Sequence, residues 1–296
     1  MAEQPRIDAS GYTYAHEHLC LDLSAFKQDD DCRLDQYDLI CAEMRSLYAL
    51  GVRNLIEVTN RYMGRNPEFM LEIMRTSGIN VIASTGYYQQ AFYPAHVAAA
   101  RVETLAQEMI DDIERGIDGT GLKAGVIAEI GSSAGVITPD EAKVFKAAAI
   151  AHRETGRPIS THTTLGTMGL EQLALLKRHG VDPARVVIGH CDLKENLDTI
   201  LRLIGQGAYV QFDTIGKNSY YPDIKRVAML RQIAARGLLG HVMLSMDITR
   251  RSHLRTNGGP GFGYLLTTFV PLVQEAGFSQ ADVELMLRDN PSLFFN

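Results

Sequence analysis

No run in this chain approaches the ~18 consecutive apolar residues that a membrane helix needs, and no Lys/Arg block marks a face for nucleic acid or anionic lipid. The 29 basic residues are scattered among 35 acidic ones, for a net charge of -6. These absences exclude a membrane-spanning helix and leave no electrostatic footprint for nucleic acid, so a small molecule is the expected partner. Cysteine is equally sparse. Cys20, Cys32, Cys41 and Cys191 form no close-spaced metal pattern, and 296 residues at 46% apolar content can build a core without disulfide staples. All four read as small buried hydrophobes. Residues 1–6 carry acid and proline where a secretory leader would have an apolar core, which points to a cytoplasmic protein. There is no low-complexity linker or break in composition, so residues 1–296 are expected to form a single domain.

What the chain does have is alternation. Short β-branched runs cover residues 12–19, 52–59, 80–87, 123–130, 157–163, 185–192, 208–215 and 241–248. Amphipathic or Ala/Leu-rich segments follow near 35–50, 66–77, 95–115, 139–155, 167–179, 194–205, 223–236 and 263–276. Eight βα units predict an α/β fold of the TIM (β/α)8-barrel type. An open doubly wound sheet uses the same units but normally carries a Gly-rich phosphate turn after its first strand. Leu19-Cys20-Leu21-Asp22 stands there instead.

Six side chains able to hold a metal sit at the tail ends of these runs: His16 and His18, then Glu129, His162, His190 and Asp247. In Tyr14-Ala15-His16-Glu17-His18 the two imidazoles are i and i+2 on a strand and share a face. Strands five and six each end on one histidine, and neutral imidazole is a common zinc ligand. Asp247 ends a buried run, where an unpaired carboxylate is costly enough to demand a cation. Glu129, in Ile127-Ala128-Glu129-Ile130-Gly131, poses the same question and has two answers: a salt bridge to an arginine on a neighbouring loop, or a carboxylate shared by two metals. In a barrel all these ends converge on one face, where they would assemble a two-metal hydrolytic site.

The words around these residues, Ala15-His16-Glu17-His18-Leu19, Ala128-Glu129-Ile130-Gly131, Thr161-His162-Thr163, Gly189-His190-Cys191-Asp192 and Met246-Asp247, resemble the phosphotriesterase-related branch of the amidohydrolase superfamily over essentially the whole chain. The resemblance implies a metal-dependent hydrolase with two divalent ions, expected to be Zn2+. His16, His18 and Asp247 would hold the more buried ion, His162 and His190 the more exposed one, and Glu129 both. It further implies that a hydroxide shared by the metals attacks a carbonyl or phosphoryl centre while Asp247 accepts its proton. Two departures matter. A carboxylated lysine bridges the metals in phosphotriesterase itself, whereas glutamate stands here, and Lys123 is about 20 Å away along the strand. Weak or absent phosphotriesterase activity is therefore expected, with ester, lactone or amide cleavage favoured. Phe212-Asp213-Thr214-Ile215 also lacks the proton-relaying histidine of phosphotriesterase, leaving Asp213 and Asp192 as candidates either for that task or for hydrogen bonding to His190 and the barrel rim.

Loops after the strands should hold the substrate. Arg61, Tyr87, Arg250, Arg251 and His253 are the candidates, and the arginines suit a phosphorylated or carboxylated molecule, unless they merely pair with loop acids. Lys217 and Tyr220 lie on the loop after strand seven. Two other readings remain open: a mononuclear enzyme of the sugar-isomerase type, and a zinc-binding protein without turnover. A homodimer is an arrangement that the sequence permits.

Overall fold

A computed structural model describes residues 5–296; residues 1–4, part of the 1–6 stretch read above, lie outside the described residues. Eight parallel strands form one sheet in sequential order: β1 (Tyr12–Glu17), β2 (Val52–Glu57), β3 (Asn80–Thr85), β4 (Ala124–Ser132), β5 (Ile159–Thr163), β6 (Val186–Ile188), β7 (Tyr209–Phe212) and β8 (Val242–Leu244). The main helices between and after them are α1 (Tyr37–Ala49), α2 (Pro67–Ser77), α3 (Val102–Glu114), α4 (Pro139–Thr155), α5 (Gly169–Arg178), α6 (Leu197–Ile204) and α7 (Asp223–Ala234). The eighth begins as a π-turn at Leu265–Phe269 and continues as α8 (Val270–Glu275). This is the TIM barrel that the alternation predicts.

Local chemistry sets the boundaries. The α4 helix opens with a reciprocal capping box between Thr138 and Glu141 and has Pro139 in its first turn. The single helix expected over 95–115 is instead two, Ala95–Ala99 and α3, because Ala100 and Arg101 adopt extended backbone. β6 and β8 end earlier than expected. His190 (φ 56°) and Asp247 (φ 53°) lie in the left-handed region, which stops the ladder and costs of order ~1–3 kcal/mol at each residue.

Two layers of core follow from strand alternation. Leu55, Ile127, Ile130 and Ile188 face the helices, while Ile56, Ile82, Val126, Ala128, Val187 and Met243 fill the barrel. Phe294 and Phe295 of the last helix, with Ile7, join the inner cluster and plug the end where the strands begin. The six candidate metal ligands lie at the opposite end, where the strands finish.

No backbone ladder joins β1 to β8 among the described residues; side chains close the seam. The buried Glu17 carboxylate accepts Met246 N–H (2.7 Å) and the Ser245 hydroxyl (2.7 Å) on one oxygen and Ile248 N–H (3.0 Å) on the other. Ser245 Oγ in turn accepts His16 N–H at 3.1 Å. Because each Glu17 oxygen faces a backbone donor, even an isosteric amide must turn its NH2 toward one of them. Glu17→Gln is expected to lower unfolding stability by about 1–3 kcal/mol and Glu17→Ala by at least as much. Urea denaturation checks this, and a loss below about 0.5 kcal/mol in both would contradict a carboxylate-closed seam.

Candidate metal centre

Two irregularities in the ladder aim the site residues inward. Between Ile127 and Ile130, β4 uses three residues where β5 uses two. This bulge, which contains the cis Ala128–Glu129 peptide, lets Glu129 face the barrel interior although Ile127 and Ile130 face out. β1 does the same between Tyr14 and Glu17 opposite β2, and His16 and His18 both end inside, fully buried.

All six candidates converge. Glu129 Oε1 stands 3.6 Å from His16 Nε2 and 3.4 Å from His18 Nε2. Asp247 Oδ1 lies 3.7 and 3.3 Å from the same nitrogens. The other Glu129 oxygen, Oε2, is 2.9 Å from His162 Nδ1 and 3.9 Å from His190 Nε2, and those two nitrogens are 2.8 Å apart. One carboxylate therefore faces two separate donor groups. The 3.3–3.7 Å edges of the first match the ~3.4 Å expected when four ligands stand ~2.1 Å from a tetrahedral cation.

Outer hydrogen bonds decide which nitrogen of each ring carries a proton. His16 Nδ1 faces Gln211 Oε1 (3.2 Å) and Asp213 (3.4 Å), both acceptors, and Gln211 is oriented by donating to Ala15 O. His190 Nδ1 faces Asp213 at 2.9 Å, and Asp213 also accepts His190 N–H. His18 Nδ1 lies 2.7 Å from the Thr59 hydroxyl, whose own proton goes to Glu57. In these three rings Nδ1 is the donor and the Nε2 lone pair points into the cluster. His162 is reversed. Its Nε2 faces Thr164 Oγ1 (3.2 Å), which donates to Ser132 O, so Nδ1 is left free toward Glu129. Four lone pairs and two carboxylates aimed at common points are a donor set for cations. Fittingly, His16 Nε2 and Glu129 Oε2 make no hydrogen bond, although both are buried.

Electrostatics agree. Burial opposes ionisation of Glu129, yet His162, His16 and His18 hold it well below the usual carboxylate range. Burial likewise opposes charging His16, but Asp213, Glu129 and Asp247 push it up to about 10; His18, against the same burial cost, rises to about 9 beside Asp247 and Glu129. The cluster attracts positive charge, whether as protons or as metal ions.

Further charged residues surround the cluster. Lys217 pairs directly with Asp247 Oδ2, and, against burial, Lys217 and then His18 hold that carboxyl far below its ordinary value. Nothing in the sequence links residues 30 apart on separate loops. Glu57 was detectable, since it ends an apolar strand as Glu129 does; burial lifts it to about 7. Asp213 orients His190 and His16, whereas Asp192 holds the rim, accepting from Thr214 and from buried Arg226 at 2.7 Å.

A cavity of about 240 Å3 opens over the cluster, bounded by His162, His190, Asp247, Tyr88, Lys217, Tyr220, Leu165 and Arg250 among others. Of the substrate-binding candidates, Arg250 lines it. Arg61 is held by Asp112 and Glu108, and Arg251 by Asp35. Tyr87 turns its hydroxyl to Glu108, and the next residue, Tyr88, takes the cavity wall, 3.3 Å from His162 Nε2. That placement depends on Gly131, where a Cβ would lie 2.5 Å from Tyr88 O. His253 borders an adjoining chamber. A larger cleft, about 580 Å3 between α1 and the π-turn before α8, contains none of the six.

The model of the phosphotriesterase family matches residues 4–295. The chain belongs to that family. It is 69% identical to the phosphotriesterase homology protein of Escherichia coli K12 over 97% of this chain and 99% of that one. The crystal structure of the E. coli protein, with phosphate in its active site, superposes with a TM-score of 0.97 over 98% of this chain and all of that chain. A lactonase from Listeria monocytogenes superposes at 0.92 with 26% identity, covering 97% of this chain and 95% of its own. An N-acetyltaurine hydrolase from Dictyostelium discoideum is 29% identical over 88% of this chain and 73% of its own. This member of the phosphotriesterase family is accordingly a metal-dependent hydrolase.

Two outcomes follow for the metal centre. Asp213→Asn should weaken metal binding by about 10–100-fold, read by competition with a chelator; unchanged affinity would remove Asp213 as an orienting residue. In chelated protein, His16 and His18 titrate above their ordinary 6.5, so their stabilising effect is complete below about pH 6.5 and is lost as pH rises through 9–10. Metal binding should abolish that loss, because the ions replace the protons. Thermal denaturation from pH 7 to 10, with and without metal, reads both.

Proposed function

We propose that this protein is a binuclear, zinc-dependent hydrolase of small anionic amides, lactones or esters. The observation that carries the reading is the division of Glu129, with Oε1 toward His16 and His18 and Oε2 toward His162 and His190. His16, His18, Asp247 and Glu129 Oε1 would hold one divalent ion, and His162, His190 and Glu129 Oε2 the other. Four imidazoles with two carboxylates suit zinc. Bound there, the ions would activate water and polarise the electrophilic oxygen of the substrate.

The protein's own groups do the rest. Asp213, Gln211 and Thr59 keep the ring lone pairs aimed at the centre. Asp247 is the group placed to accept the proton of the attacking water, and Lys217 on its second oxygen fixes the carboxylate's orientation. Tyr88, Leu165 and Tyr220 form an apolar wall, while Lys217, Lys27 and Arg250 bring positive charge to the same cavity, which favours an anionic substrate. The names borne by the lactonase and the N-acetyltaurine hydrolase support carbonyl substrates, and a glutamate where phosphotriesterase has a carboxylated lysine argues against efficient phosphotriester cleavage.

The test is a screen of the zinc-loaded protein against acidic N-acyl compounds, lactones, carboxylic esters and a neutral phosphotriester. Turnover of at least one carbonyl class is expected to exceed phosphotriester turnover, and Glu129→Ala should lower it by at least about a hundredfold. A protein that cleaves only the phosphotriester, or whose activity survives Glu129→Ala, would contradict the proposal.

A further inference from the structure

Asp213 faces the outer nitrogens of His190 and His16 directly, at 2.9 and 3.4 Å, whereas among the described residues no carboxylate contacts the outer nitrogen of His18. Its Nδ1 meets the Thr59 hydroxyl at 2.7 Å. A hydroxyl either donates or accepts, so Thr59 alone leaves both tautomers of His18 open, and one of them puts the ring proton on Nε2, where a cation would stand. Glu57 removes that choice. It ends β2, fully buried, and its Oε1 accepts the Thr59 proton at 2.5 Å together with Leu19 N–H at 3.1 Å. Thr59 has one proton, and once that is given to Glu57 the hydroxyl only accepts from His18. Ser132 O does the same for His162 through Thr164. The other Glu57 oxygen, Oε2, is buried and has no hydrogen-bond partner among the described residues. Burial raises the carboxyl to about 7, against the pull of His18 and Thr59, yet the direction of the relay does not depend on its charge. A proton taken up there goes to Oε2, because two donors already occupy Oε1. An apolar side chain of the same length would avoid the cost of that unmatched oxygen, so the carboxyl serves more than packing.

We propose that Glu57 is a positioning residue of the metal centre: acting through Thr59, it holds His18 with its proton on Nδ1, so that the Nε2 lone pair is ready for the cation shared with His16 and Asp247. The Leu19 contact ties the same carboxyl to the backbone beside His18, so one group fixes both the tautomer of the ring and the path of its main chain. Glu57 acts through Thr59 and is not itself a ligand. As a statement about a metal ligand, it rests on the binuclear reading above.

Chelator competition on the zinc-loaded protein reads this role without any substrate. Glu57→Met and Thr59→Val are each expected to weaken one of two bound zinc ions by about 10–100-fold and the other by less than about threefold. Thr59→Ser, which keeps the hydroxyl, should stay within about threefold of the wild type. Because the two groups act in series, the double variant should fall well short of the product of the single effects. Circular dichroism and urea denaturation establish the folding of each variant. If Glu57→Met does not fold, Glu57→Asp, whose shorter side chain withdraws the carboxylate from Thr59, decides in its place with the same expected loss. Zinc affinity unchanged in the folded Glu57 variant, whatever its stability, or single effects that multiply in the double variant, would overturn the positioning role. A wild-type protein holding one zinc ion, whose affinity still falls in the Glu57 variant, would overturn the binuclear reading and leave the positioning role standing; one holding no zinc would overturn both.

Discussion

Two buried carboxylates, Glu129 and Asp247, face four imidazoles at one end of a barrel whose opposite end is closed by apolar side chains. The whole arrangement depends on that concentration of charge. Isolated carboxylates at such depth would neutralise by taking up protons. Here the surrounding rings keep Glu129 ionised, and two of them, His16 and His18, are themselves driven toward the charged state. A protonated cluster is one way to balance the charge; a pair of divalent cations is another that also uses every lone pair. The ring of outer acceptors favours the second, because Asp213, Gln211, Thr59 and Thr164 each take the outward N–H of a histidine and so prepare the inward nitrogen as a ligand.

The fold serves this constraint from several directions. Bulges in β1 and β4 turn ligands inward against strict alternation, and left-handed backbone at His190 and Asp247 ends two strands where a ligand is needed. Glu17 lies between His16 and His18 at the end of β1 and latches that strand to the segment that follows β8. The contact that closes the barrel thus also fixes the spacing between His16, His18 and Asp247. The candidate metal ligands gather at one end of the barrel, with Phe294 and Phe295 sealing the opposite end.

Much of this was legible in the sequence, for identifiable reasons. The eight-fold βα alternation gave the barrel, and ionisable residues at the ends of apolar runs marked all six members of the cluster, because such positions are costly unless something compensates them. The bulge at Glu129 was not legible, since Ala128-Glu129 has no sequence signature for a register shift; simple alternation would have sent Glu129 outward with Ile127. The pairing of Lys217 with Asp247 was hidden because two loops distant in sequence meet only at the barrel mouth. Tyr88 rather than Tyr87 faces the cavity because the loop after β3 packs on Gly131, a contact between distant segments. The arginines Arg61 and Arg251 suggested an anion handle by residue type, yet their partners Asp112 and Asp35 come from α3 and the segment before α1, which no local pattern foretells.

The central claim is that Glu129 shares its two oxygens between two cations, and anomalous diffraction from crystals grown with zinc tests it most directly. Two peaks about 3.5–4 Å apart, one beside His16, His18 and Asp247 and the other beside His162 and His190, with Glu129 between them, are the predicted result. A single peak, or two peaks with Glu129 touching only one, would contradict it.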